Sequence, residues 1–112
     1  MPTVFIISRD WKLRATVRAE LREAGVEALG MESADEAARE IAAGRLPSVV
    51  VLDGGVATTG LQNLAGSVPI VVVASRVEPA PPLPRVAAVL YRPVSVKEVV
   101  AQVHLALQGH AA

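Results

Sequence analysis

The sequence predicts an α/β fold, a parallel sheet covered by helices on both faces. Two observations carry this. Four short apolar runs, Val4–Ile7, Val49–Leu52, Ile70–Ala74 and Val86–Leu90, are continuous rather than alternating and rich in β-branched residues. That is the pattern of strands buried on both faces. Segments of helical periodicity lie between them, so strand and helix alternate about five times, the order that right-handed crossovers require.

Val4–Ile7 is the first strand. Leu13, Val17, Leu21 and Ala24 then recur at helical spacing, Arg14, Arg18 and Arg22 form a stripe on another face, and Gly25 stops the helix. Val26–Met31 reads as a weaker strand, and its Glu27 and Gly30 suit the edge of the sheet. Ser33-Ala-Asp-Glu36 is a capping box that opens a second helix. Ala34, Ala37, Ala38 and Ile41 are its expected inward residues, Gly44 closes it, and Pro47 forbids its continuation. After Asp53, Thr58 or Thr59 would cap a third helix whose only core residues are Leu61 and Leu64, the thinnest pattern in the chain. Val77-Glu-Pro-Ala-Pro-Pro-Leu-Pro84 breaks the rhythm, because its prolines cannot occupy a helix interior. A helix between the fourth and fifth strands is therefore lost or reduced to a turn, and extended, polyproline-like backbone takes its place. Ser95-Val-Lys-Glu98 is a second capping box. It opens a last helix with Val96, Val99, Val100, Val103 and Leu107 apolar and Gly109 at its end.

Composition excludes several function classes. The 112 residues suit one domain spanning 1–112, and 52% are hydrophobic, too apolar for a disordered chain. Eleven basic residues balance eleven acidic ones, so neither a nucleic-acid binder nor a polybasic membrane anchor is expected. The absence of cysteine removes disulfides, thiolate metal sites and a cysteine nucleophile. The start of the chain lacks the pattern of a secretory signal, and no apolar run is long enough to span a bilayer. A cytoplasmic protein is the expectation. His104 and His110 are isolated from one another and make no metal site. The sequence has no GxGxxG, Walker loop or Ser/His/Asp constellation. No catalytic residue is assigned, and the chain is read as a non-enzyme.

Four segments in order, Val4-Phe-Ile-Ile-Ser-Arg-Asp10, Val49-Val-Val-Leu-Asp53, Val68-Pro-Ile-Val-Val-Val-Ala-Ser75 and Val89-Leu-Tyr-Arg-Pro93, resemble the receiver domain of bacterial two-component response regulators. The resemblance covers essentially the whole chain. It implies a flavodoxin-like, doubly wound sheet of five parallel strands in the order 2-1-3-4-5, with ligands bound beyond the carboxyl ends of the strands at the switch point. It also implies a chemistry. Receivers use an aspartate at the end of the third strand to accept a phosphoryl group from phosphohistidine. Mg²⁺ is held by that aspartate, an acidic pair after the first strand and a backbone carbonyl.

Asp53 matches the phosphoacceptor, and the rest of the site departs from the family. The acidic pair aligns with Ser8 and Arg9, with Asp10 one residue late. Loss of those carboxylates weakens any Mg²⁺ site, leaving Asp10 and Asp53 as the remaining ligand candidates. Arg9 is the expected partner of Asp53, standing in for the ion. Asp10 is read as the N-cap of the first helix in preference to a metal ligand. The switch hydroxyl aligns with Ala74, with Ser75 one position late. The family lysine aligns with Arg92, whose bond to Pro93 is expected to be cis, and the switch aromatic aligns with Val89, with Tyr91 two residues on. Gly54 and Gly55 stand where the family has Met-Pro.

The resemblance therefore implies a degenerate receiver, alone or as part of a longer product. It would act through protein contacts, phosphorylation-independent or weakly phosphorylated, with no cofactor. The alternative is a phosphoaccepting receiver that uses Asp53 with Mg²⁺. A flavin or nucleotide carrier of the same fold has no phosphate-cradling glycine loop to support it. Partners would be a sensor kinase, another regulator or a second copy, met through Tyr91, Arg92 and the exposed side of Ser95–Leu107. The arginine stripe, interspersed with Glu20 and Glu23, is read as a solvated face. Trp11 either anchors a partner or covers the top of the core. Pro79-Ala-Pro-Pro82, although it has PxxP spacing, is read as a loop.

Overall fold

The computed structural model describes residues 2–59, 61, 64 and 66–111, with side chains through Gly109. The elements follow as β1 (Thr3–Ile7), α1 (Trp11–Glu23), β2 (Glu27–Met31), α2 (Ala34–Ala42), β3 (Val49–Asp53), β4 (Ile70–Ala74), β5 (Val86–Tyr91) and α3 (Val96–Ala111). All five strands are parallel, and their order is β2-β1-β3-β4-β5. This is the doubly wound order expected from the sequence. The crossover reverses between β1 and β3, so the carboxyl ends of those two strands diverge onto a common crevice.

The strand alternation divides the core. Val4, Ile6, Val49, Val51, Val71 and Val73 face α1 and α3, where Leu13, Val17, Leu21, Val99 and Val103 meet them. Phe5, Ile7, Val50, Leu52, Ile70 and Val72 face the opposite layer, which holds α2 and the long connections. β1, β3 and β4 are buried along nearly their full length. This explains their uniformly apolar sequences. β5 was expected to be covered on both faces, but it is only half-buried. It lies at the sheet edge, and no helix is present among residues 75–85. Ala80 and Leu83, three residues apart, pack against the core in place of that helix, the spacing at which an extended proline-rich backbone returns to one side. Between β4 and β5 the register shifts at Ile70/Val71, where Ala87 forms a bulge.

The caps follow the sequence signals with local differences. Gly25 has φ +82°, left-handed backbone that a β-carbon disfavours, and it ends α1 as expected. Ser33 Oγ accepts from the Glu36 N–H at 3.3 Å, but the Glu36 carboxylate accepts from the N–H of Glu32, one residue before the cap. Ser95 Oγ accepts from the Glu98 N–H at 3.1 Å. Ala38 is exposed rather than inward, because it lies about 100° around the helix from the buried Ala37, away from the sheet. Gly109 does not end the last helix, which continues to Ala111. The thin third-helix pattern forms no helix among the described residues of the β3–β4 connection; positions 60, 62, 63 and 65 lie outside them. Leu61 and Leu64 are buried there as expected. Among the described residues no helix is long and apolar enough to cross a membrane.

Leu21 is fully buried beneath α1, whereas Leu46 is exposed before β3. Leu21→Ala should lower unfolding free energy by about 2–5 kcal/mol through lost burial and a residual cavity. Leu46→Ala should change it by no more than about 0.5 kcal/mol. Urea titrations followed by circular dichroism measure both.

Candidate functional site

Three strand ends build the site. Ser8 follows β1, Asp53 ends β3, and Arg92 follows β5. The sheet order places these positions above the crevice, and three side chains meet there. Asp53 is buried, and its Oδ2 accepts from Ser8 Oγ at 2.8 Å and from Arg92 Nη2 at 2.9 Å. Its Oδ1 accepts from the Gly55 N–H at 3.4 Å. A carboxylate taken out of water requires donors of this kind. Arg92 extends its second arm to Asp10, with Nη1 3.3 Å from Oδ2. The planar guanidinium therefore bridges two carboxylates from different elements, which an ammonium group cannot do with the same fixed geometry.

Asp10 is the N-cap of α1. Its Oδ1 accepts from the N–H groups of Lys12 and Leu13, which confirms the capping role read from the sequence. Ser8 Oγ also accepts from the Asp10 N–H at 3.0 Å, so a single hydroxyl joins the cap to Asp53. Arg14 donates to the Ser8 carbonyl and pairs with Glu32 at 3.5 Å. Part of the arginine stripe is thus structural rather than solvated. The Arg14 stem packs over Gly30, where a β-carbon would make ordinary van der Waals contact with it at 3.6 Å.

Several expectations are corrected. Arg9 is exposed, and among the described residues the cation paired with Asp53 is Arg92. Ser8, not Arg9, is the residue turned inward from the loop after β1, where its hydroxyl bonds to Asp53. Ser75 does not offer a hydroxyl to Asp53: its Oγ accepts from the Glu78 N–H at 3.0 Å and closes a turn. Ala74 is buried, and its carbonyl accepts from the Arg92 N–H at 2.8 Å. The Arg92–Pro93 bond is cis, as expected. Tyr91 and Trp11 are both exposed, so Trp11 does not cover the core. His110 lies outside the described side chains.

The contact of the proline segment with the site was not evident from the sequence. The Glu78 carbonyl lies 2.6 Å from the place a β-carbon on Gly54 would occupy, and the Glu78 carboxylate sits over Gly55. The paired glycines were the visible signal, but not what presses on them. Glu78 closes one side of a cleft of about 330 Å³ that Asp53, Asp10, Arg92 and Arg9 also line. The donor set does not fit the Mg²⁺ that the resemblance implies. The positions of the acidic pair hold a hydroxyl and a guanidinium, and Asp10 and Asp53 are both bonded to Arg92. Among the described residues no group of three or more metal-ligating side chains is assembled.

No family model matches the chain, and no curated protein matches it in sequence. Solved structures do match it in fold. A response regulator receiver protein from Burkholderia phymatum superposes with a TM-score of 0.77 at 22% identity, covering 96% of each chain. A receiver domain protein described as CheY-like, from Methanospirillum hungatei JF-1, gives 0.78 at 15% identity, covering 99% of this chain and 97% of that one. The Francisella response regulator 1452 receiver domain gives 0.76 at 16% identity, covering 97% and 98%. The chain has the receiver fold of two-component response regulators.

The bridge and the close approach at Gly54 can each be measured. A double-mutant cycle with Arg92→Gln and Asp53→Asn should return a coupling of about 1–2 kcal/mol, moderated because Arg92 is one-third exposed. Gly54→Ala should cost about 1–3 kcal/mol, since backbone rather than a flexible side chain must move. Both are read from denaturant midpoints.

Proposed function

We propose that this chain is a receiver-like signalling module that works through protein contact, independently of phosphorylation or only weakly dependent on it. One observation carries the reading: the Arg92 guanidinium bridges Asp53 and Asp10, at 2.9 and 3.3 Å. Those are the carboxylates that a phosphoryl-accepting site would offer to a divalent cation. A fixed internal cation neutralises them but leaves no open coordination position for phosphoryl oxygens. The Ser8 hydroxyl occupies the same Asp53 oxygen as Arg92 and reduces its availability as a nucleophile.

The coupling machinery points the same way. A phosphoryl group switches a protein only by making different contacts in two states. Ala74 has no hydroxyl to be drawn toward it, and Ser75 is engaged with Glu78. The contact surface in this proposal is the carboxyl end of β5 and the outer side of α3. Tyr91 at the end of β5 is 65% exposed and Leu105 on α3 is 58% exposed, and Arg92 follows Tyr91 in the chain. A sensor kinase, another regulator or a second copy is the partner class.

The second reading is a phosphoaccepting receiver, and the observation in its favour is that Asp53 lines an open cleft. Intact-mass analysis after incubation with acetyl phosphate and Mg²⁺ separates the two. No phosphoryl adduct, or only a trace removed by Asp53→Ala, is expected. A stoichiometric adduct at Asp53 would establish the second reading. Arg92→Gln should free Asp10 and Asp53, so that Mg²⁺ raises the Tm of the variant and leaves that of the parent unchanged.

A further inference from the structure

We infer that the open end of β2, between α1 and α2, docks an extended acidic peptide segment of a partner protein. The inference goes beyond the Asp53 site and the β5–α3 face, and does not depend on phosphorylation. β2 is an edge strand. The Glu27 N–H bonds to the Pro2 carbonyl, and the Met31 carbonyl accepts from the Ser8 N–H. Odd positions of β2 therefore face β1, and the main-chain groups of Ala28 and Gly30 face outward. Ala28 is fully buried, whereas Gly30 is exposed, so the edge opens at Gly30. Two clefts meet there, one of about 500 Å³ toward α2 and one of about 250 Å³ toward α1, sharing Arg18 and Gly30.

The charge of the walls selects the ligand. Trp11, Arg14, Ala15 and Arg18 line the α1 side. Glu20 and Glu23 lie well around the helix from Arg18 at about 100° per residue, so no acid interrupts this face. Ion pairs neutralise two of the carboxylates near the opening, and the third, Glu36, keeps its charge on the α2 side. Glu32 pairs with Arg14, Glu36 accepts from the Glu32 N–H, and Glu40 pairs with Arg45 at 3.6 Å. Arg18 and Arg39, one on each side of Gly30, make no ion pair among the described residues. An extended peptide presents successive side chains to opposite faces. Carboxylates on alternate positions would meet the α1 wall, while peptide N–H and carbonyl groups from two different peptide units exchange hydrogen bonds with the Gly30 carbonyl and N–H. The Glu36 carboxylate on the α2 side disfavours a phosphate backbone, whose charge is not confined to one face.

Trp11 is the only tryptophan, and its fluorescence reports occupancy directly. Titration should use a synthetic peptide with aspartate alternating with threonine, a lysine-for-aspartate peptide, and the acidic peptide N-methylated at every second amide in each phase. The acidic peptide is expected to give a saturable change that Arg18→Glu weakens at least about tenfold. One N-methylated phase should bind as weakly, and the lysine peptide should give no change. No saturable change with the acidic peptide, or equal affinity for both N-methylated phases, would overturn the inference. So would tighter binding of a single-stranded oligonucleotide of equal charge, or a groove closed by self-association, seen as sedimentation that depends on protein concentration and is abolished by Arg18→Glu.

Discussion

A carboxylate at the end of a buried parallel strand has to be satisfied locally, and the upper layer of this molecule is arranged around that constraint. Asp53 ends β3 with little solvent access, so its charge needs donors from neighbouring strand ends. Ser8 supplies one from β1 and Arg92 another from beyond β5, 45 and 39 residues away in sequence. Arg92 then reaches Asp10, whose other oxygen caps α1. A connected polar network of this kind links three strand ends and a helix start, and its members hold one another in place. The fork geometry of arginine is what allows one side chain to serve both carboxylates.

The loss of a helix between β4 and β5 shapes the other half of the site. A helix in that place would satisfy its own backbone and cover one face of β5. The proline segment needs fewer partners, because proline has no N–H to satisfy. It is held by Ala80 and Leu83 in the core and by the turn in which the Ser75 N–H donates to the Glu78 carbonyl and the Glu78 N–H donates to Ser75 Oγ. Its cost is a half-exposed β5, and its consequence is the approach of Glu78 to Gly54 and Gly55. Residues with β-carbons at those positions would hold the segment away from Asp53. The glycine pair and the proline segment are therefore one structural feature, separated in sequence by β4.

Legibility followed the range of the interaction. The strands, the N-caps at Asp10, Ser33 and Ser95, and the stop at Gly25 depend on neighbours within a turn or two, and all could be read directly. The half-burial of β5 could not, because its composition resembles that of β4 and only the missing neighbour distinguishes them. The side on which Ala38 falls is not legible, because alanine fits either side of a helix without declaring which. At the site, the participants Ser8, Asp10, Asp53 and Arg92 were all legible by position. The pairing was not: Arg9 is adjacent to the expected place and carries the right charge, yet it is exposed while Arg92 makes the contact.

The α/β alternation, the absence of a helix across the prolines and the loss of the acidic pair are legible in residue order, since periodicity, proline geometry and residue identity are local properties. Which guanidinium meets Asp53, what presses on Gly54 and where the edge of β2 opens are set only when the chain is folded. Each of these depends on strand order and register, which bring residues tens of positions apart within a few ångströms. The outcome there is set by which side chain has the reach and the direction, not by charge or proximity along the chain.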